Sequence, residues 1–137
     1  MIRTIFTAFF FVLNLILVLI LLIPYLFVRI TRKEELIERY VKWVVDIWAN
    51  NTLKAAGAKV KLYGVENIPT QKNLMFVSNH QGIFDIPLLL GYIPRLLGFI
   101  AKIEISRYPV LNVWMPLMHC IFMDRKDRRQ SAIAIKK

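Results

Sequence analysis

Of the two histidines in this chain, one has neighbours suited to proton transfer. His80 lies in Ser78-Asn79-His80-Gln81-Gly82-Ile83-Phe84-Asp85, flanked by polar residues and followed by an acid five positions on. A histidine whose tautomer is held by a carboxylate is the usual form of a general base near neutral pH. On a continuous helix, five residues would turn the second side chain about 140° away from the first. Across a strand-to-helix turn loosened by Gly82, the two can converge. Two bland readings compete: a metal site, and Asp85 as the N-cap of the next helix. A metal would want more ligands, and no second histidine stands at ligand spacing, so none is expected. A serine hydrolase would want a Gly-x-Ser-x-Gly elbow, and neither Ser78 nor Ser106 has that setting. A base without an enzyme nucleophile beside it implies that the substrate brings the attacking group, and a hydroxyl is the natural candidate. His119, between Met118 and Cys120, reads as a packed or partly exposed histidine. Cys120 is the only cysteine, which excludes an intrachain disulfide, and it reads as a buried small hydrophobe.

The elements that must position this pair are short. Leu74-Met75-Phe76-Val77-Ser78 reads as a buried strand delivering Asn79 and His80, and a helix is predicted from about Asp85 to Tyr92. Lys59-Val60-Lys61-Leu62-Tyr63 alternates as a strand should, with Gly64 and Pro69 marking turns. Gly98 to Lys102 suggests a further strand, Tyr108 to Met118 a helix, Cys120 to Met123 a strand, and Arg128 onward a helix. Strands alternating with helices predict an α/β layer with a parallel or mixed sheet. The chain shows no internal repeat and no low-complexity linker.

Ahead of this lies a different kind of sequence. From Thr4 to Val28 no residue is charged. About 25 helical residues reach roughly 37 Å, against a hydrocarbon core of about 30 Å, so the run can span with tilt or bend at Pro24. It is too long for a signal peptide and ends without small residues. Arg29, Arg32 and Lys33 follow it, while only Arg3 and the amino terminus precede it, which puts the remainder on the cytoplasmic side. Full crossing and a dip into one leaflet are both compatible with the run. From Glu34 to Ala56, Leu36, Ile37, Tyr40, Val41, Val44, Ile47 and Trp48 recur at helical steps, with Gly57 as the stop. That helix either faces a protein core or lies along the membrane with Trp43 and Trp48 at headgroup depth. The expected divisions are an anchor over 1–33, an amphipathic membrane-surface helix over 34–57 and a catalytic portion over 58–137. With 137 residues there is room for one domain, and 57% hydrophobic content beside a net charge of +10 suits an anionic membrane surface better than nucleic acid.

Asn79-His80-Gln81-Gly82-Ile83-Phe84-Asp85 resembles the Asn-His-x-x-x-x-Asp block of the 1-acyl-sn-glycerol-3-phosphate acyltransferases. Ala101-Lys102-Ile103-Glu104-Ile105 is similar to the family's Lys-Lys-Glu-Leu segment, with Ile103 in place of a lysine, and Ile121-Phe122-Met123-Asp124-Arg125 to its Phe-Ile-Asp-Arg segment. The resemblance implies that His80 deprotonates the free hydroxyl of lysophosphatidate for attack on acyl-CoA or acyl-carrier protein, with no other cofactor. It implies that Asp85 supports the imidazolium, and that Arg125 and Lys102 meet the acceptor's phosphate. Membrane lipids and acyl-carrier protein are the partners it suggests, and the cell membrane is the place. The family's later Glu-Gly-Thr-Arg block does not appear before Lys137, so the expectation is an incomplete domain. Transfer to another lipid hydroxyl, or a non-catalytic membrane-associated role, are the alternatives.

Overall fold

The computed structural model describes residues 2–71, 74–124 and 126. The uncharged N-terminal run forms two helices, α1 (Ile2–Ile20) and α2 (Leu22–Ile30), parted at Leu21. The break lies three residues before Pro24, where the bend was expected. Pro24 has no N–H for the Ile20 carbonyl and its ring crowds that carbonyl, so the disturbance appears one turn upstream. Ile5, Phe6, Phe9 and Ile20 are each more than half exposed, and the stretch Ile5–Ile30 is long and apolar enough to cross a membrane.

The third helix, α3 (Glu34–Ala55), opens with Glu34 and Glu35 and closes with Lys54, charges that suit the two ends of a helix dipole. It stops at Gly57, whose φ of +70° lets Gly57 N–H reach the Lys54 carbonyl and Ala58 N–H reach that of Leu53, both at 2.9 Å. α3 turns back along α1. Thr7 Oγ1 donates to the Ala55 carbonyl at 3.2 Å, Asn14 Nδ2 to the Trp48 carbonyl at 2.9 Å, and the Tyr40 hydroxyl to the Leu21 carbonyl at 2.8 Å. Its buried face is Val41, Val44, Val45, Ala49, Thr52 and Leu53. Leu36, expected on that face, is exposed, and Trp43 is half exposed, whereas Trp48 packs toward the core. One face of α3 therefore packs against protein.

The remaining elements cover the other side of α3. Helix α4 (Asp85–Tyr92) packs on it, with Gly91 against Ala49: a Cβ on Gly91 would stand 3.2 Å from Ala49 Cβ. Strand β1 (Ile100–Lys102), helix α5 (Pro109–Leu117) and strand β2 (Ile121–Met123) follow, with a 3₁₀ turn over Ile103–Arg107. β1 and β2 pair in parallel, with Ile100 opposite Ile121 and Lys102 opposite Met123, and α5 supplies the crossover that parallel strands require. Helix α5 likewise ends in a left-handed stop, at His119 (φ +58°), with Cys120 N–H on the Met115 carbonyl and His119 N–H on that of Pro116. Val18, Tyr25, Val41, Val44, Leu90, Trp114 and Met118 form one core with buried Cys120.

Two expected strands are corrected. Lys59–Tyr63 and Leu74–Ser78 belong to no strand among the described residues. Met75 and Val77 are 87% and 84% exposed rather than buried. Apolar pattern licenses a strand, but a strand exists only where a second backbone accepts its hydrogen bonds, and among the described residues only β1 and β2 supply one another. The result is a helix-rich α/β arrangement with a two-stranded parallel sheet. The helix expected from Arg128 lies outside the described residues.

Candidate active site

Asp85 is the first residue of α4, and its carboxylate points back into the preceding loop. One oxygen, Oδ2, accepts the backbone N–H of Gln81 at 2.6 Å and of Gly82 at 2.9 Å, and meets His80 Nδ1 at 2.8 Å. Asp85 N–H donates to the Gly82 carbonyl at 3.1 Å, closing the turn. Asp85 is thus no simple N-cap: it gathers the loop before the helix rather than the helix's own first amides. The N–H groups of Gly82 and Gln81 hold its carboxyl below the ordinary carboxylate range against an opposing effect of burial, and His80 adds to the lowering. An ionised Asp85 can only accept, so His80 Nδ1 must donate. That leaves Nε2 as the acceptor nitrogen, the arrangement of a general base.

The position of His80 matters as much as its tautomer. Its side chain is 74% exposed, whereas that of Asp85 is 23% exposed. Little packing holds the ring, so the bond to Asp85 is its main restraint. Ile83 and Phe84, exposed, lie in the same loop. Gly82 acts through its N–H and its carbonyl, both bonded to Asp85. Its φ is not left-handed and an added Cβ would meet nothing within 4 Å, so the loosening expected of it is not its role.

The other sequence candidates are placed separately. Lys102 is exposed at the end of β1, opposite Met123, and no hydrogen bond or ion pair among the described residues joins it to the His80–Asp85 loop. Arg125 lies outside the described residues, two positions after the residue paired with Lys102. His119 is exposed, 3.5 Å from Glu38, and serves to end α5. Among the described residues no group of three His, Cys, Asp or Glu side chains is close enough to hold a metal ion. Sequence reasoning missed a cleft between α3 and the turn after α4. Its only signal was the pair of basic residues Arg39 and Arg95, distant along the chain.

A histidine–carboxylate pair in an exposed loop, on an α/β frame behind an apolar leader, has the equipment to move a proton. Comparison with known proteins supplies the family. Residues 59–137 match the family model described as Acyltransferase, and the chain belongs to that family. It is 34% identical over 86 residues to a probable 1-acyl-sn-glycerol-3-phosphate acyltransferase of Mycoplasma pneumoniae, covering 59% of this chain and 32% of that protein. A 1-acyl-sn-glycerol-3-phosphate acyltransferase of Borreliella burgdorferi is 32% identical over 83 residues, 61% of this chain and 33% of that protein. A probable enzyme of the same name from Mycoplasma genitalium is 36% identical over 98 residues, 68% and 34%. The chain spans about a third of the length of the curated relatives it matches. No solved structure gives a significant match.

Proposed function

We propose that this chain carries the base of a 1-acyl-sn-glycerol-3-phosphate acyltransferase. His80 Nε2 takes the proton of the acceptor's free hydroxyl, and the alkoxide attacks the thioester carbonyl of acyl-CoA or acyl-carrier protein. A C–O bond forms, the C–S bond breaks, and the departing thiolate takes up the proton. Asp85 holds the ring and offsets the imidazolium charge. Lys102 and Arg125 meet the acceptor's phosphate, a task suited to fixed cations. The observation that carries this reading is the convergence of His80 Nδ1 and two loop amides on one Asp85 oxygen, in a chain of the Acyltransferase family.

The membrane part is read from packing. Between Thr7 and Leu21, α3 accompanies α1 for about 14 residues, or roughly 21 Å. An upright α1 would carry Asp46, Asn50 and Lys54 to hydrocarbon depth, where a charge costs about 2.5–3.5 kcal/mol even on insertion scales. Lying in one leaflet, α1 keeps its exposed apolar side chains in lipid and α3's polar face in water. Arg29, Arg32 and Lys33 favour the cytoplasmic leaflet.

Transfer of a labelled acyl group to lysophosphatidate in membranes containing the protein tests the chemistry. His80→Ala should abolish transfer without releasing the protein from the membrane. Substantial activity in that variant would sink the mechanism.

A further inference from the structure

Helix α4 is eight residues long and carries Asp85 at its first position. A helix of about two turns is marginal unless other elements hold it. At its start, the bonds of Asp85 to Gln81, Gly82 and His80 gather the loop. At its far end the backbone is one donor short. Ile93 N–H reaches the Leu89 carbonyl at 3.1 Å. The next carbonyl, that of Leu90, would take the N–H of Pro94, and a proline has none. Leu90 is buried, where an unpaired carbonyl is costly. The missing donor comes from another helix. Lys42 Nζ, on α3, stands 3.3 Å from the Leu90 carbonyl. The Lys42 side chain is only 19% exposed and is paired with Asp46 one turn along α3, which holds it in place. An ammonium there also meets the negative end of the α4 dipole. The close approach of Gly91 to Ala49 brings the two helices near enough for this reach.

We propose that Lys42 is a positioning residue for the His80–Asp85 base: it caps the C-terminus of α4 from α3, and so fixes the helix whose first residue holds the histidine. The cap itself stands on the geometry; its consequence for turnover rests on the acyltransferase reading. Among the described residues no hydrogen bond or ion pair joins Lys42 to His80 or Asp85, so Lys42 acts through the placement of α4. The same bond ties the base to the membrane part of the chain. α3 is bonded to α1 through Thr7, Asn14 and Tyr40, and α1 carries the exposed apolar side chains.

The test compares Lys42→Met with the parent chain, by hydrogen exchange in detergent and by acyl transfer to lysophosphatidate in membranes. Exchange at Gln81 and Gly82 should quicken by about tenfold, the scale of one lost hydrogen bond from a charged donor. The kcat should also fall about tenfold, within the 10²-fold cost of misplacing a reacting group by about 1 Å. KM for lysophosphatidate should hold, since Lys102 and Arg125 are untouched. Lys42→Arg keeps a charged donor and should recover most of both losses. Lys42→Gln, shorter and uncharged, is the second variant and should move both readouts in the same direction as Lys42→Met. Helix content by circular dichroism identifies any variant that misfolds. Gly98→Ala, which strains the chain at His119 and not at α4, controls for general destabilisation and should leave exchange at Gln81 and Gly82 as in the parent. Unchanged exchange in folded Lys42→Met would overturn the proposal, as would a loss that Lys42→Arg does not recover. Faster exchange with parent kcat would also overturn it, by showing that the cap holds α4 without positioning the base. Exchange needs no substrate, so a parent chain that transfers no acyl group would sink the proposed reaction while the cap is still decided.

Discussion

Replacing Asp85 by asparagine separates what the carboxylate does for the loop from what it does for the base. Three partners of the Asp85 carboxylate among the described residues converge on a single oxygen: Gln81 N–H at 2.6 Å, Gly82 N–H at 2.9 Å and His80 Nδ1 at 2.8 Å. An amide oxygen in the same place still accepts the two backbone bonds, so the turn into α4 should survive. His80 fares differently. Its ring is 74% exposed, so little besides this bond orients it. A neutral amide no longer offsets an imidazolium, and a flipped amide would present an N–H that forces the wrong tautomer. The variant should therefore forfeit most of what a general base contributes, about 10²–10⁴ in kcat. KM for lysophosphatidate should change little, because neither Lys102 nor Arg125 is touched. The assay is acyl transfer to lysophosphatidate in membranes, read as kcat and KM, with hydrogen exchange at Gln81 and Gly82 reporting whether the loop is kept. Turnover within a factor of about ten of the parent protein, with the loop intact, would show that Asp85 is a structural latch and not part of the base.

Three further outcomes follow from the geometry. Gly82→Ala should leave activity and stability nearly unchanged, since its Cβ has open space; Gly98→Ala should destabilise by about 1–3 kcal/mol, since its Cβ would stand 2.6 Å from the His119 carbonyl oxygen, and thermal unfolding compares the two. The lowered carboxyl of Asp85 sets a pH dependence: its stabilisation is fully present above the unfolded carboxylate value of about 3.9 and is lost as pH falls through the lower folded value. Amide shifts of Gln81 and Gly82 should thus titrate below the ordinary range, and a midpoint at or above it would contradict the hydrogen bonding described. Asn14 is buried and donates to the Trp48 carbonyl and to Thr52 Oγ1, so Asn14→Ala should loosen α1 from α3 by about 1–3 kcal/mol, seen as earlier proteolysis between residues 31 and 34.

The His80–Asp85 pair was legible in the sequence because its geometry is local. Five residues, one helix start and two amides complete it, and no distant segment has to arrive. The limits of α4, the stop at Gly57 and the burial of Cys120 were legible for the same kind of reason: caps and apolar periods act over one or two turns. Leu74–Ser78 and Lys59–Tyr63 went the other way. Their patterns were those of strands, but a strand depends on a neighbour's backbone, about which an alternating pattern says nothing.

By itself, then, the sequence determined the uncharged helical run, a second helix after it, the limits of α4 and the pairing of His80 with Asp85. Each follows from interactions a few residues long. Only the tertiary structure decided that α3 lies along α1, which sets how the apolar run can meet a bilayer. It also moved the helix break from Pro24 to Leu21 and brought Arg39 and Arg95 to one cleft. These features join positions tens of residues apart. Their geometry comes from which surfaces exclude water together, and that choice is made by the whole core.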